Sequence, residues 1–284
     1  MPECALAQLH RRFATVRRSA QNSRIVRIQL RSLALGLSAL IASHGFSLPA
    51  QSIRIAAAAD LRWALEEVSA AFQRENPVKI EITYGSSGNF HTQLMNKAPF
   101  DLFLSADVSY PENLVESGLG TRDSLFVYGI GRVVLWVPRA SPIAVETLGL
   151  AALQEPSVKK IAMANPRHAP YGRAAEAALK KAGLLEGLKS KLVLGENISQ
   201  TAQFVQSGAA DIGFLALSLV TVGPMKGQGR WWMIPSDDHP LIEQGGVIFS
   251  WAKDPVAART FRDFLVSPGG TRIMKKYGFN AKVH

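Results

Sequence analysis

Residues 53–105 change hydrophobic period repeatedly within one short stretch, and that alternation restricts the chain more than any other feature. Ile53–Ala59 is an uninterrupted apolar run followed by Asp60, a residue suited to capping a helix start. Leu61, Leu65, Val68 and Phe72 then recur at helical spacing. Asn76-Pro77 closes that segment, because the residue before a proline is pushed out of the helical region. Val78, Ile80, Ile82 and Tyr84 alternate with polar residues, the pattern of a strand. Gly85-Ser86-Ser87-Gly88 leads into a second helix marked by Phe90 and Leu94, and Asp101–Ser105 reads as a third strand. The order β-α-β-α-β predicts an α/β protein with a parallel sheet under covering helices.

The rest of the chain repeats the theme. Gly131–Val137 reads as a long strand ended by Pro138, and Ile161–Ala164, Leu192–Leu194, Ile212–Leu215 and Gly246–Trp251 read as further strands. Helices are expected over Gly172–Ala182 and Gln200–Gln206, with two more near the end around Phe261 and Met274. Two α/β units joined near 131–137 and 246–251 predict two lobes with a chain that crosses twice: 51–130 plus 240–284 as lobe I, and 131–239 as lobe II. With 47% hydrophobic and 19% charged residues, the composition excludes a disordered chain.

The first 50 residues read as a secretory leader. Seven arginines precede the apolar run Ser32–Ala42, and Ala50 offers a cleavage point. That run is too short to span a bilayer, which takes roughly 20 apolar residues. Arg11, Arg12, Arg17, Arg18, Arg24, Arg27 and Arg31 against Glu3 also account for most of the +10 net charge. The remaining 25 basic and 21 acidic residues leave a net of +4, which removes the main argument for a nucleic-acid partner. The single cysteine, Cys4, lies in the leader, so a chain cleaved there has no thiol and no Cys metal ligand. The expected location is the periplasm.

Ligands of open α/β sheets bind beyond the carboxyl ends of strands. Five such joints stand out: Ala59-Asp60, Ser86-Ser87, Pro170-Tyr171-Gly172, Asn197-Ile198-Ser199 and Ala216-Leu217-Ser218. Helix starts present unpaired N–H groups and a positive dipole end, so several converging on one cleft make an anion site without Lys or Arg. Ordinary capping is the better explanation of any one joint taken alone, and only the five together bring the two readings level. Catalytic patterns are thin. His91, His168, His239 and His284 show no metal-ligand spacing, and Ser87 lacks the Gly-x-Ser-x-Gly setting of a hydrolase nucleophile. Asp237-Asp238-His239, between prolines, reads as a solvated turn, and Trp231-Trp232 as packing.

Several segments together resemble the periplasmic molybdate-binding proteins of ABC transporters. They are Ala56–Leu61, Tyr84–Asn89, Ala98–Asp107, Asn165-Pro166 with Ala169–Gly172, Gly195–Ile198 and Tyr277–Phe279. The resemblance implies a type II periplasmic binding protein fold, a two-lobed Venus-flytrap with two mixed sheets flanked by helices. It implies a non-enzymatic, monomeric receptor for molybdate or tungstate that serves a membrane permease and needs no cofactor. Carried over residue by residue, the contacts fall at Asp60, Ser87, Tyr171, Ile198 through its backbone N–H, and Ser218. Relatives often have serine where this chain has Asp60, so Asp60 is expected to cap its helix and offer only its backbone N–H. A tyrosine hydroxyl common near 216–218 has no counterpart here, so that donor is missing or comes from Ser218. A different oxyanion, a small organic anion, or a sensory role are the alternatives. A cysteine-tethered deaminase of the same fold is excluded once Cys4 is removed with the leader.

Overall fold

In a computed structural model of the protein, residues 52–280 are described, and they build an α/β body on two mixed sheets flanked by helices. The leader, with Cys4 and the cleavage expected after Ala50, lies outside the described residues. Ten strands run in chain order: β1 (Ser52–Ala58), β2 (Lys79–Gly85), β3 (Leu102–Ser105), β4 (Phe126–Gly131), β5 (Val133–Pro138), β6 (Ile161–Ala164), β7 (Leu192–Gly195), β8 (Ile212–Ala216), β9 (Gly229–Met233) and β10 (Ile242–Ile248). The longer helices are α1 (Arg62–Gln73), α2 (Ser87–Met95), α3 (Ser109–Glu116), α4 (Pro170–Lys181), α5 (Ile198–Gln206), α6 (Pro255–Val266) and α7 (Pro268–Lys276).

The first sheet has the order β2-β1-β3-β10-β4. β1 lies parallel to β2 and β3, with Ile55 opposite both Ile82 and Leu102. From Ile55 to Ala58 β1 is apolar and buried, because helices cover both of its faces there. Ile53, Ile55 and Ala57 join a core with Leu65, Phe72 and Phe261, whereas Ala56 joins a second one with Phe90, Leu94 and Phe103. Phe72 meets Phe261 edge-on at 5.3 Å between ring centroids, which ties α1 to α6.

The second sheet has the order β7-β6-β8-β5-β9. Its central strands β6 and β8 are parallel, and β5 runs antiparallel to β8 and β9. Trp136 is fully buried there. Trp231 and Trp232 lie on edge strand β9, paired with Trp136 and Leu135.

Two details differ from the reading of the sequence. Gly131–Val137 is not one strand: Gly131 ends β4 in the first sheet opposite Ile242, and Val133 begins β5 in the second opposite Ala216. Arg132 between them is the first crossing. Of that run only Gly131 belongs to β4, whereas Val133–Val137 all lie in β5, and the arginine marks the break. The closing strand is Ile242–Ile248 rather than Gly246–Trp251. Its polar start at Glu243 and Gln244 conceals it, although Gln244 is fully buried. Among the described residues no helix is long and apolar enough to cross a membrane.

Candidate functional site

Four backbone turns meet at one small cavity of about 10 Å³. It is lined by Asp60 after β1, Ser86 and Ser87 at the start of α2, Pro170 and Tyr171 at the start of α4, and Asn197 and Ile198 at the start of α5. Each turn follows a strand of one of the two sheets, so the cavity lies at the carboxyl ends of strands from both. Among the described residues no Lys or Arg lines it.

Local chemistry explains why these starts leave donors exposed. Asn197 caps α5, its Oδ1 accepting from the N–H groups of Ser199 and Gln200 at 3.0 Å. The Ile198 N–H is therefore not taken by the cap. Pro170 occupies the first turn of α4, where its missing N–H costs nothing. Ser87 Oγ accepts from the Ala106 N–H at 3.0 Å, which leaves the hydroxyl hydrogen to donate. Among the described residues, the N–H groups of Ser87, Tyr171 and Ile198 have no protein acceptor.

Asp60 departs from its expected role. Its side chain caps no helix. The residue is 1% exposed, and its Oδ2 accepts from Tyr171 Oη at 2.9 Å and from Gln244 Nε2 at 2.6 Å. Two buried donors from elsewhere in the fold outcompete local capping. Burial pushes the Asp60 carboxyl up to about 6, against the opposing pull of the Gln244 and Tyr171 hydrogen bonds. Burial also raises the Tyr171 phenol well above its usual range, with the neighbouring Asp60 carboxylate adding to the effect.

Asp60, Ser87, Tyr171 and Ile198 thus share one cavity. The Tyr171 hydroxyl is committed to Asp60 rather than turned to the space. Ser218 does not line the cavity. Its Oγ donates to the Asp60 carbonyl at 2.8 Å, because the one-turn helix Leu217–Val220 packs behind the Ala59–Leu61 turn. Residues that sequence reasoning missed include Gln244 and the pair Ser86–His168. Ser86 Oγ donates to the His168 carbonyl at 2.6 Å, and the Gly88 N–H reaches the same oxygen at 2.9 Å. A Cβ on Gly88 would stand 2.6 Å from that carbonyl, so only glycine permits the approach. Ser199 Oγ donates to the Ala59 carbonyl, Asn89 to Glu196, and Arg173 to both Asp107 and Tyr110. Buried Gln244 lies in a strand whose polar start gave no sign of a site. Among the described residues no cluster of His, Cys, Asp and Glu fits a metal cation, and Asp237–His239 lies apart from the cavity.

Known proteins are similar to this chain in sequence and fold. The family model described as bacterial extracellular solute-binding protein matches residues 53–280. The molybdate-binding protein ModA of Azotobacter vinelandii is 37% identical over 252 residues, covering 87% of this chain and 99% of the relative. ModA of Rhodobacter capsulatus is 37% identical over 250 residues, covering 87% and 96%. The solved periplasmic molybdate-binding protein of Azotobacter vinelandii superposes with a TM-score of 0.77 at 30% identity, covering 81% of this chain and all of that one. With a match across nearly every described residue, the chain belongs to the bacterial extracellular solute-binding protein family.

Proposed function

We propose that this protein is a periplasmic receptor that captures molybdate, and tungstate nearly as well, between two lobes and delivers it to the membrane permease of an ABC transporter. The observation that carries this reading is the convergence of three helix starts and the Ala59–Leu61 turn on a cavity without Lys or Arg. Molybdate near neutral pH is a dianion with acceptors only. The donors assigned to it are the backbone N–H of Asp60, the hydroxyl of Ser87, and the N–H groups of Tyr171 and Ile198. Hydrogen bonds to an ion of this kind contribute roughly 1.5–3 kcal/mol each. Partly protonated phosphate needs an acceptor that such a set withholds, and sulfate, equal in charge and shape, is separated by cavity size. The relatives' molybdate-binding names support the choice of ligand.

In this reading lobe I comprises 51–130 with 240–284, and lobe II comprises 131–239. Ser86, Gly88 and Asp60 on the first reach His168 and Tyr171 on the second, so these contacts hold the closed form. The closed form is what the permease reads. The protein acts as a monomeric binding protein rather than an enzyme. A thermal-shift panel of molybdate, tungstate, sulfate and phosphate tests the assignment. Molybdate and tungstate should raise the melting temperature, by linkage worth about 4 kcal/mol at a thousandfold excess over Kd, and phosphate should not. A larger shift with sulfate would overturn the ligand.

A further inference from the structure

Asp60 lines a cavity proposed to hold a dianion, and the two oxygens of its carboxyl have different surroundings. Oδ2 accepts from Gln244 and Tyr171. Oδ1 is buried and has no partner among the described residues. The other groups assigned to the anion all present N–H or O–H. A bare carboxylate oxygen there opposes an incoming dianion, with little water to screen the repulsion. A carboxylic acid does the opposite, because its Oδ1–H adds one more donor to a donor-only set.

We propose that Asp60 enters the complex as a neutral acid: it takes one proton from solvent as the oxyanion binds, and its Oδ1–H donates to an anion oxygen. This rests on the oxyanion reading and adds to it a proton-coupled uptake step. Among the described residues no cationic side chain, Arg132 beside Gly131 included, lowers the Asp60 carboxyl. The Ala59–Leu61 turn packs against α1, β2, α5 and the one-turn helix Leu217–Val220. The last two carry no titratable side chain. On α1, the Arg62 guanidinium lies over the Tyr84 ring of β2, and Glu67 is held by Lys276 and Tyr277, while Glu66 also lies on this helix. Lys79 and Glu81 pair with each other at the far end of β2. From the remaining strands and α4 come the neutral phenols Tyr128 and Tyr171 and the amide of Gln244. Burial has already brought the carboxyl to about 6, and no cationic side chain acts on it. A neighbouring dianion raises it further.

The test is calorimetric titration of the purified protein with sodium molybdate at pH 7.5, in buffers of different ionisation enthalpy. Wild type should take up close to one proton per anion, and its affinity should fall about tenfold per pH unit above roughly pH 6.5. Asp60→Asn, checked for folding by circular dichroism, should take up none and lose that pH dependence. The proton count on wild type needs no variant. Molybdate binding without proton uptake, or uptake that survives in Asp60→Asn, overturns this inference and leaves the receptor reading intact. Failure of wild type to bind molybdate at any pH from 6 to 8.5 overturns the receptor reading, and this step with it.

Discussion

Tyr171 donates its hydroxyl to Asp60 Oδ2 across 2.9 Å, although the two residues lie 111 positions apart and follow strands of different sheets. The bond joins the two halves of the cavity wall and is buried from water. Gln244 reaches both partners, at 2.6 Å to Asp60 and 3.2 Å to Tyr171. Gly131 lies against the same phenol, where a Cβ would collide with it.

Tyr171→Phe removes one of the two side-chain donors to the carboxylate and leaves the packing of the ring in place. Loss of a buried hydrogen bond to a charged group costs about 1.5–3 kcal/mol. Urea denaturation at pH 7.5 should show a loss in that range. A smaller loss is expected at pH 4.5, where Asp60 is protonated in the folded protein and the bond is no longer charge-assisted.

Asp60→Asn should stabilise the ligand-free protein at neutral pH. The folded carboxyl titrates at about 6, above its ordinary value of 3.8, so the native state holds the extra proton between those values. Stability from this group is present at low pH and is lost as pH rises toward 6. Raising a carboxyl from 3.8 to about 6 corresponds to about 3 kcal/mol. The difference in unfolding free energy between variant and wild type should therefore grow from pH 4 to pH 7.5 by an amount of that order. A constant difference across that range would show that Asp60 is not titrating as described.

Gly88→Ala places a Cβ against the backbone carbonyl of His168, which has no freedom to swing aside. The Gly88 N–H to His168 bond and the Ser86 contact should open together. If these contacts belong to a closed form, its population falls, and apparent molybdate affinity falls with it, by roughly tenfold or more. Small-angle scattering with and without molybdate should show a larger radius for the variant, converging on wild type at saturating ligand.

Ser87→Ala removes the acceptor of the Ala106 N–H and the hydroxyl assigned to the anion in one step. Kd for molybdate should rise about 10- to 100-fold, the equivalent of one such hydrogen bond. Ser218→Ala should affect affinity less, because that hydroxyl faces the Asp60 carbonyl rather than the cavity. Equal losses in the two variants would argue against this assignment of donors.

The α/β class, the β-α-β-α-β start and the joints at Asp60, Ser87, Tyr171 and Ile198 were all legible in the chain, because hydrophobic period and helix-start chemistry are local properties written in neighbouring residues. Local reading failed where two distant segments compete for one group. Asp60 has the composition of a cap, yet Tyr171 and Gln244 claim its carboxylate, and they arrive from another sheet and from a late strand. The run Gly131–Val137 reads as one strand, and only pairing with Ile242 on one side and Ala216 on the other divides it at Arg132. Ser218 looks like a donor to the site, and packing turns it to the back of the turn that carries Asp60. These points emerged only in three dimensions, since a hydrogen bond or a strand register depends on which groups meet in space, and no spacing along the chain records that.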